Sequence, residues 1–213
     1  MIHLTNLKDS KGLFFLFTIN LMISTCICFG QQSGIQIMKR KCTYDRKYGG
    51  EKIIIQYQYD SLNLITSNEY WLNGFIKLPD SIKFLIIEKL LKFENDTELC
   101  CMNVITRSFN GIEGCGGTLK NVERYTIQVD ALYIINRLCW PGSMDFYSCT
   151  PVLYDTKIKK TINNNPQKIK IVFAAYKKWY AECKAKGKID RYFPFNDGRY
   201  VWYGGKKSIA PKV

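Results

Sequence analysis

The chain has 213 residues, with 31 Lys plus Arg against 18 Asp plus Glu, nine Cys, and a formal net charge of +13. A hydrophobic content of 46%, of which aromatics are a large part at 14% of the chain, supplies enough apolar surface for a core and excludes a disordered polyelectrolyte. The single histidine is His3, inside a segment read below as removed, so a mature chain lacks the commonest general base near neutral pH and the commonest metal ligand.

Residues 1–30 have the layout of a secretory signal peptide. Lys8 and Lys11 flank the start of the apolar run Gly12 to Ile23, and Cys28 and Gly30 are the small residues of a cleavage site. A retained anchor is the competing reading, but Asn20 interrupts the run and no basic cluster follows it, whereas a spanning helix wants about 20 apolar residues. Ile23-Ser24-Thr25-Cys26 also resembles a bacterial lipobox, which would make Cys26 an acylated terminus on an outer-membrane-anchored lipoprotein. Thr25 stands where that motif prefers Gly, Ala or Ser. The expected product is exported, periplasmic or secreted, with one folded domain over 31–213.

Along that domain, residues 39–52 are basic and turn-rich and read as an exposed entry segment. Lys52 to Tyr59 alternates Ile53, Ile55, Tyr57 and Tyr59, a strand period. The segment 66–78 is ambiguous, with near-helical spacing of its aromatics. Pro79-Asp80-Ser81 opens a helix over about 80–93, with Ile82, Leu85, Ile86, Leu90 and Phe93 three or four apart. Thr97 to Arg107 reads as a shorter helix, Asn110 to Thr118 as a glycine-rich loop, and Asn121 to Trp140 as a buried helix stopped by Pro141-Gly142. Strands near 152–154 and 160–162 flank Asp155-Thr156-Lys157 as a small hairpin. Asn165 caps the most regular helix, 166–186, which Pro166 opens and Gly187 ends. The tail from 188 is aromatic and irregular and is expected to pack over the helices. These elements predict a mainly α, single helical domain with one or two short β-strand pairs.

Charge divides unevenly along this chain. Residues 31–156 hold 14 basic and 14 acidic side chains, whereas 157–213 hold 15 basic against Glu182, Asp190 and Asp197. That basic quarter predicts a surface meeting an acidic protein or an anionic envelope glycan; a merely well-solvated lysine surface is the alternative. Lys170, Lys177 and Lys184 recur every seven residues on one flank of the 166–186 helix and are the expected partner-binding residues. Export, the lack of a helix-turn-helix or zinc-finger spacing, and 24 Lys against 7 Arg argue against nucleic acid.

Candidate chemistry is sparse. Ser–His and Cys–His pairs and histidine zinc sites are excluded without a mature histidine, and the cysteines at 42, 100, 101, 115, 139, 149 and 183 form no C-x₂-C knuckle. No metal and no cofactor are expected. In an exported chain these cysteines point to disulfides, with Cys139–Cys149 the most local pair across the Pro141-Gly142 turn; adjacent Cys100 and Cys101 should not both face one core. The loop around Cys115 lacks the Gly-Lys-Ser/Thr of a phosphate loop. Carboxylates flanking a sugar bond would need no histidine, and Glu113, Glu123, Asp130 and Asp145 are available, Glu113 first because it lies in a loop. The expected function is a non-catalytic exported interaction protein that binds an acidic protein, such as a secreted effector or toxin it neutralises. The alternative is a carboxylate-dependent glycan hydrolase or anionic-glycan-binding protein of the cell envelope.

Overall fold

A computed structural model describes residues 34–42, 49–59, 62–66, 72, 74–104, 124–139, 151–190 and 198–203. Among them the fold is α+β, with three helices and eight strands in two sheets, and this corrects the expectation of a mainly helical domain.

The first sheet begins with β1 (Gly34–Lys41) and β2 (Glu51–Tyr59), antiparallel from Gly34↔Gln58 to Lys41↔Glu51. β2 turns back into β3 (Leu62–Ile65), paired from Tyr59↔Leu62 to Gln56↔Ile65. On the same side of β2, at its opposite end, β4 (Leu99–Asn103) runs parallel through Glu51↔Cys100, and β5 (Arg124–Thr126) pairs antiparallel with β4. The second sheet has the order β7-β6-β8, built from β6 (Leu153–Asp155), β7 (Lys160–Thr161) and β8 (Tyr200–Trp202), all antiparallel.

Two of these differences from the helical expectation have clear physical causes. The segment 39–52, expected as an exposed basic entry, supplies the end of β1 and the start of β2, and Lys39 to Lys41 continue a strand whose Ile35 and Ile37 pack on the core. Charged residues on an edge strand also discourage pairing with other chains. The segment 97–107 contains a strand where a helix was predicted. Cys100 enters the core cluster, and Cys101 on the opposite face bonds Cys42 across a Cα separation of 6.0 Å, so successive side chains alternate as strand geometry requires. That bridge realises the expected disulfide chemistry.

The helices follow their expected positions more closely. α1 (Asp80–Leu90) buries Phe84, Ile86, Ile87 and Leu90 and continues into a 3₁₀ turn over Leu91–Phe93. α2 (Ile127–Cys139) follows β5 directly and is buried on nearly every side, from Ile127 through Asn136 and at Leu138. It lies between the first sheet, α1 and α3 (Pro166–Lys186). A helix enclosed all round must also pair its polar side chains internally, and Gln128 does so by accepting the Asn95 amide at 3.2 Å.

The seam between β2 and β4 is narrow. Gly50, at φ +98°, approaches so closely that a Cβ there would lie 2.6 Å from the Leu99 carbonyl oxygen. Arg124 donates across the seam to the carbonyls of Gly49 at 3.0 Å and Cys100 at 3.1 Å.

Candidate functional site

α3 organises the basic part of the molecule. The Asn165 side chain accepts the Lys168 amide at 3.0 Å, Pro166 occupies the first turn, and Gly187 in the left-handed region at φ 68° ends the helix. Those three residues satisfy end groups that an uncapped helix leaves without partners. Ile169, Val172, Phe173, Tyr176, Trp179 and Cys183 face inward; Trp202 of β8 donates to the Tyr176 hydroxyl at 3.0 Å and stacks edge-on against Tyr133 of α2. Burying that stripe commits the opposite face to solvent, where Ile171 is 50% exposed and Ala174, Lys178, Ala181 and Ala185 are also exposed.

The heptad-spaced lysines divide into two kinds. Lys177 pairs with Glu94 beyond α1, and Lys184 bonds Glu88 of α1 at 2.9 Å. Glu88 also accepts the Tyr180 hydroxyl at 2.8 Å, and Lys184 lies 5.4 Å from the centre of the Tyr180 ring. The Lys184 ammonium first, and then Tyr180, hold the Glu88 carboxyl below its ordinary pKa. These contacts join α3 to α1. Lys170 is exposed and, like Lys178, has no ion pair with any acid among the described residues.

Before α3, the β6–β7 hairpin is fixed from within by Asp155. Its side chain is fully buried; one oxygen accepts the amides of Lys157 at 3.0 Å and Ile158 at 3.3 Å, and the other accepts Lys168 at 2.7 Å. Arg199 adds a contact at 3.8 Å. Burial acts to raise the Asp155 pKa, but Lys168 and the two turn amides outweigh it and hold the carboxyl below its usual range. Thr156 completes the anchor by donating to the carbonyls of Gly198 at 2.9 Å and Arg199 at 3.1 Å. The tip therefore presents Lys157, Ile158, Lys159 and Lys160 to solvent, with Ile158 46% exposed.

A second cluster lies in the core. Asp130, 1% exposed in the first turn of α2, accepts the Ile53 amide of β2 at 3.1 Å. Lys52, Cys100, Tyr125 and Tyr133 stand around it and interact electrostatically. Desolvation pushes the Asp130 pKa up to about 7 against the pull of the Ile53 amide and Lys52, and burial likewise lowers that of Lys52. A carboxyl enclosed in this way couples helix to sheet; a sugar ring cannot reach it.

The remaining sequence candidates are placed as follows. Glu113, Glu123, Asp145, Cys26 and Cys149 lie outside the described residues, so the Cys139–Cys149 pair does too; Cys139 itself ends α2. Among the described residues no group of three or more His, Cys, Asp or Glu could hold a metal ion, and no helix is long and apolar enough to cross a membrane. The sequence marks Asp155 as a hairpin-turn residue, but neither its contacts with the turn amides and Lys168 nor the exposed Ile158 was singled out, although an Asp opening a polar turn is the signature of a side chain that caps its own turn amides. No protein-family description, curated protein or solved structure matches the chain.

Proposed function

We propose that the chain is a non-catalytic interaction protein whose outward α3 face binds an acidic protein. The observation that carries this reading is the pair Lys170 and Lys178: both are exposed, neither is neutralised by an acid among the described residues, and they border the exposed Ile171 and Ala174. Cations around a small apolar strip suit a partner helix with acidic flanks and an apolar seam. Lys177 and Lys184 instead serve the α1–α3 contact, so the partner contact lies to one side of the heptad row.

The experiment is a pull-down with the exported protein at low and high salt, followed by Lys170→Glu/Lys178→Glu and Lys177→Glu/Lys184→Glu. The first pair of reversals abolishes capture and leaves the fold unchanged, because exposed attraction is screened within about 8–10 Å and contributes little to stability. The second pair lowers stability before it lowers capture. Retention of the same partner by Lys170→Glu/Lys178→Glu, or turnover of an envelope glycan by the unaltered protein, refutes the reading.

A further inference from the structure

The β6–β7 tip is separate from the α3 face just described and has a different composition. Four successive exposed residues, Lys157 to Lys160, place one aliphatic side chain among three ammonium groups. None of the three lysines has an ion pair with an acid among the described residues, and Asp155, the nearest carboxylate in sequence, is turned inward to Lys168 and the turn amides. The backbone is set in advance: Lys159 holds φ 53°, β6 and β7 pair at Asp155↔Lys160, and Thr156 ties the turn to residues 198 and 199. A tip already ordered loses little conformational freedom when it docks.

We propose that this tip is a docking element for an anionic bilayer, with Ile158 entering the interfacial region and Lys157, Lys159 and Lys160 lying among the phosphate headgroups. Protein–protein anchors are enriched in Trp, Tyr and Arg and depleted in Lys, and the tip has none of the former and three of the latter. Lysine is a hydrated point charge on a flexible stem, suited to a diffuse anionic plane rather than to one fixed carboxylate. An apolar side chain in a lysine frame matches the two attractions that hold peripheral proteins at membranes: apolar burial at the acyl boundary and charge at the headgroups. Docked in this way, the protein would present α3, which extends from the base of the hairpin, to partners at the membrane surface.

The test is flotation of the exported protein with vesicles of one-third phosphatidylglycerol in phosphatidylcholine and with pure phosphatidylcholine vesicles. Binding is expected to the anionic vesicles and to fall steeply between about 0.1 M and about 0.5 M salt. Each tip lysine contributes about fivefold, so Lys157→Gln/Lys159→Gln/Lys160→Gln loses about a hundredfold in partition. Ile158→Ser loses about tenfold, while Lys77→Gln/Lys89→Gln/Lys92→Gln, equal in charge and placed before, on and just after α1, changes it little. Bromolipid quenching of Ile158→Trp, taken as the difference from the parent protein, reports insertion at the tip itself. The proposal is overturned by equal binding to both vesicle types, by equal losses in the tip and α1 variants, or by no added quenching at residue 158. Binding to a poly-aspartate peptide that needs the tip, without vesicle binding, also overturns it and assigns the tip to an acidic protein.

Discussion

Replacing Asp130 by Asn should change how stability depends on pH more than it changes stability itself. The carboxyl is 1% exposed, and its pKa stands at about 7 against an ordinary 3.8. The folded state therefore holds the proton more tightly than the unfolded chain. Its contribution is most favourable below the ordinary value, declines as the pH rises through the interval up to about 7, and is level above that. The gap between the two values corresponds to about 4 kcal/mol, or about 10 °C in melting temperature for a chain of this size. Asn keeps an oxygen for the Ile53 amide but cannot ionise, so this decline disappears. Any cost of seating the amide NH₂ is the same at every pH. Urea denaturation followed by circular dichroism at steps from pH 4 to pH 8 would show the parent losing stability relative to Asp130→Asn across that range. A difference that stays constant from pH 4 to pH 8 would refute the assignment of a near-neutral buried carboxyl.

Three further outcomes follow from the same contacts. Reduction of Cys42–Cys101, which spans 59 residues, should lower stability by about 4 kcal/mol; dithiothreitol should lower the melting temperature of the parent by more than that of Cys42→Ser/Cys101→Ser. Gly50→Ala, which places a methyl 2.6 Å from the Leu99 carbonyl at φ +98°, should cost about 3 kcal/mol in chemical denaturation, whereas Gly49→Ala, with open space around it, should cost less. Asp155 has a lowered folded pKa, so its stabilisation is present above its ordinary value and is lost as the pH falls through the folded one. Asp155→Asn should flatten that acid limb of the melting curve.

Legibility from sequence followed the range of the determining contacts. α3 was readable because its cap, its stop and its apolar stripe all lie within Asn165 to Gly187, and the β6–β7 hairpin because Asp155 marks its own turn. β4 was not, since five residues beginning Leu99-Cys100-Cys101 are too few to separate a strand period from a helical one. The lysine row was correctly placed on one flank of α3, but its roles depend on Glu88 and Glu94, 96 and 83 residues from Lys184 and Lys177. Local spacing carries no trace of such partners. The bridge from Cys42 to Cys101 was hidden for the same reason, because short spacings draw attention to neighbouring cysteines while topology brings distant ones together.

The narrow join between β2 and β4 makes the first sheet sensitive to its redox surroundings. One parallel register pair, Glu51↔Cys100, unites the β1–β2–β3 meander with the β4–β5 ribbon, and the adjacent sulfur bridge holds them together. In an oxidising compartment the join is covalent. In a reducing one it rests on the register pair, the Arg124 contacts and the packing of α2, and where it opens, the inner borders of β2 and β4 become uncovered strand edges able to recruit another copy of the chain. Self-association is then the expected outcome for protein made where the bridge cannot form, and recovery from a thiol-rich cytosol should yield more aggregate than oxidative refolding does.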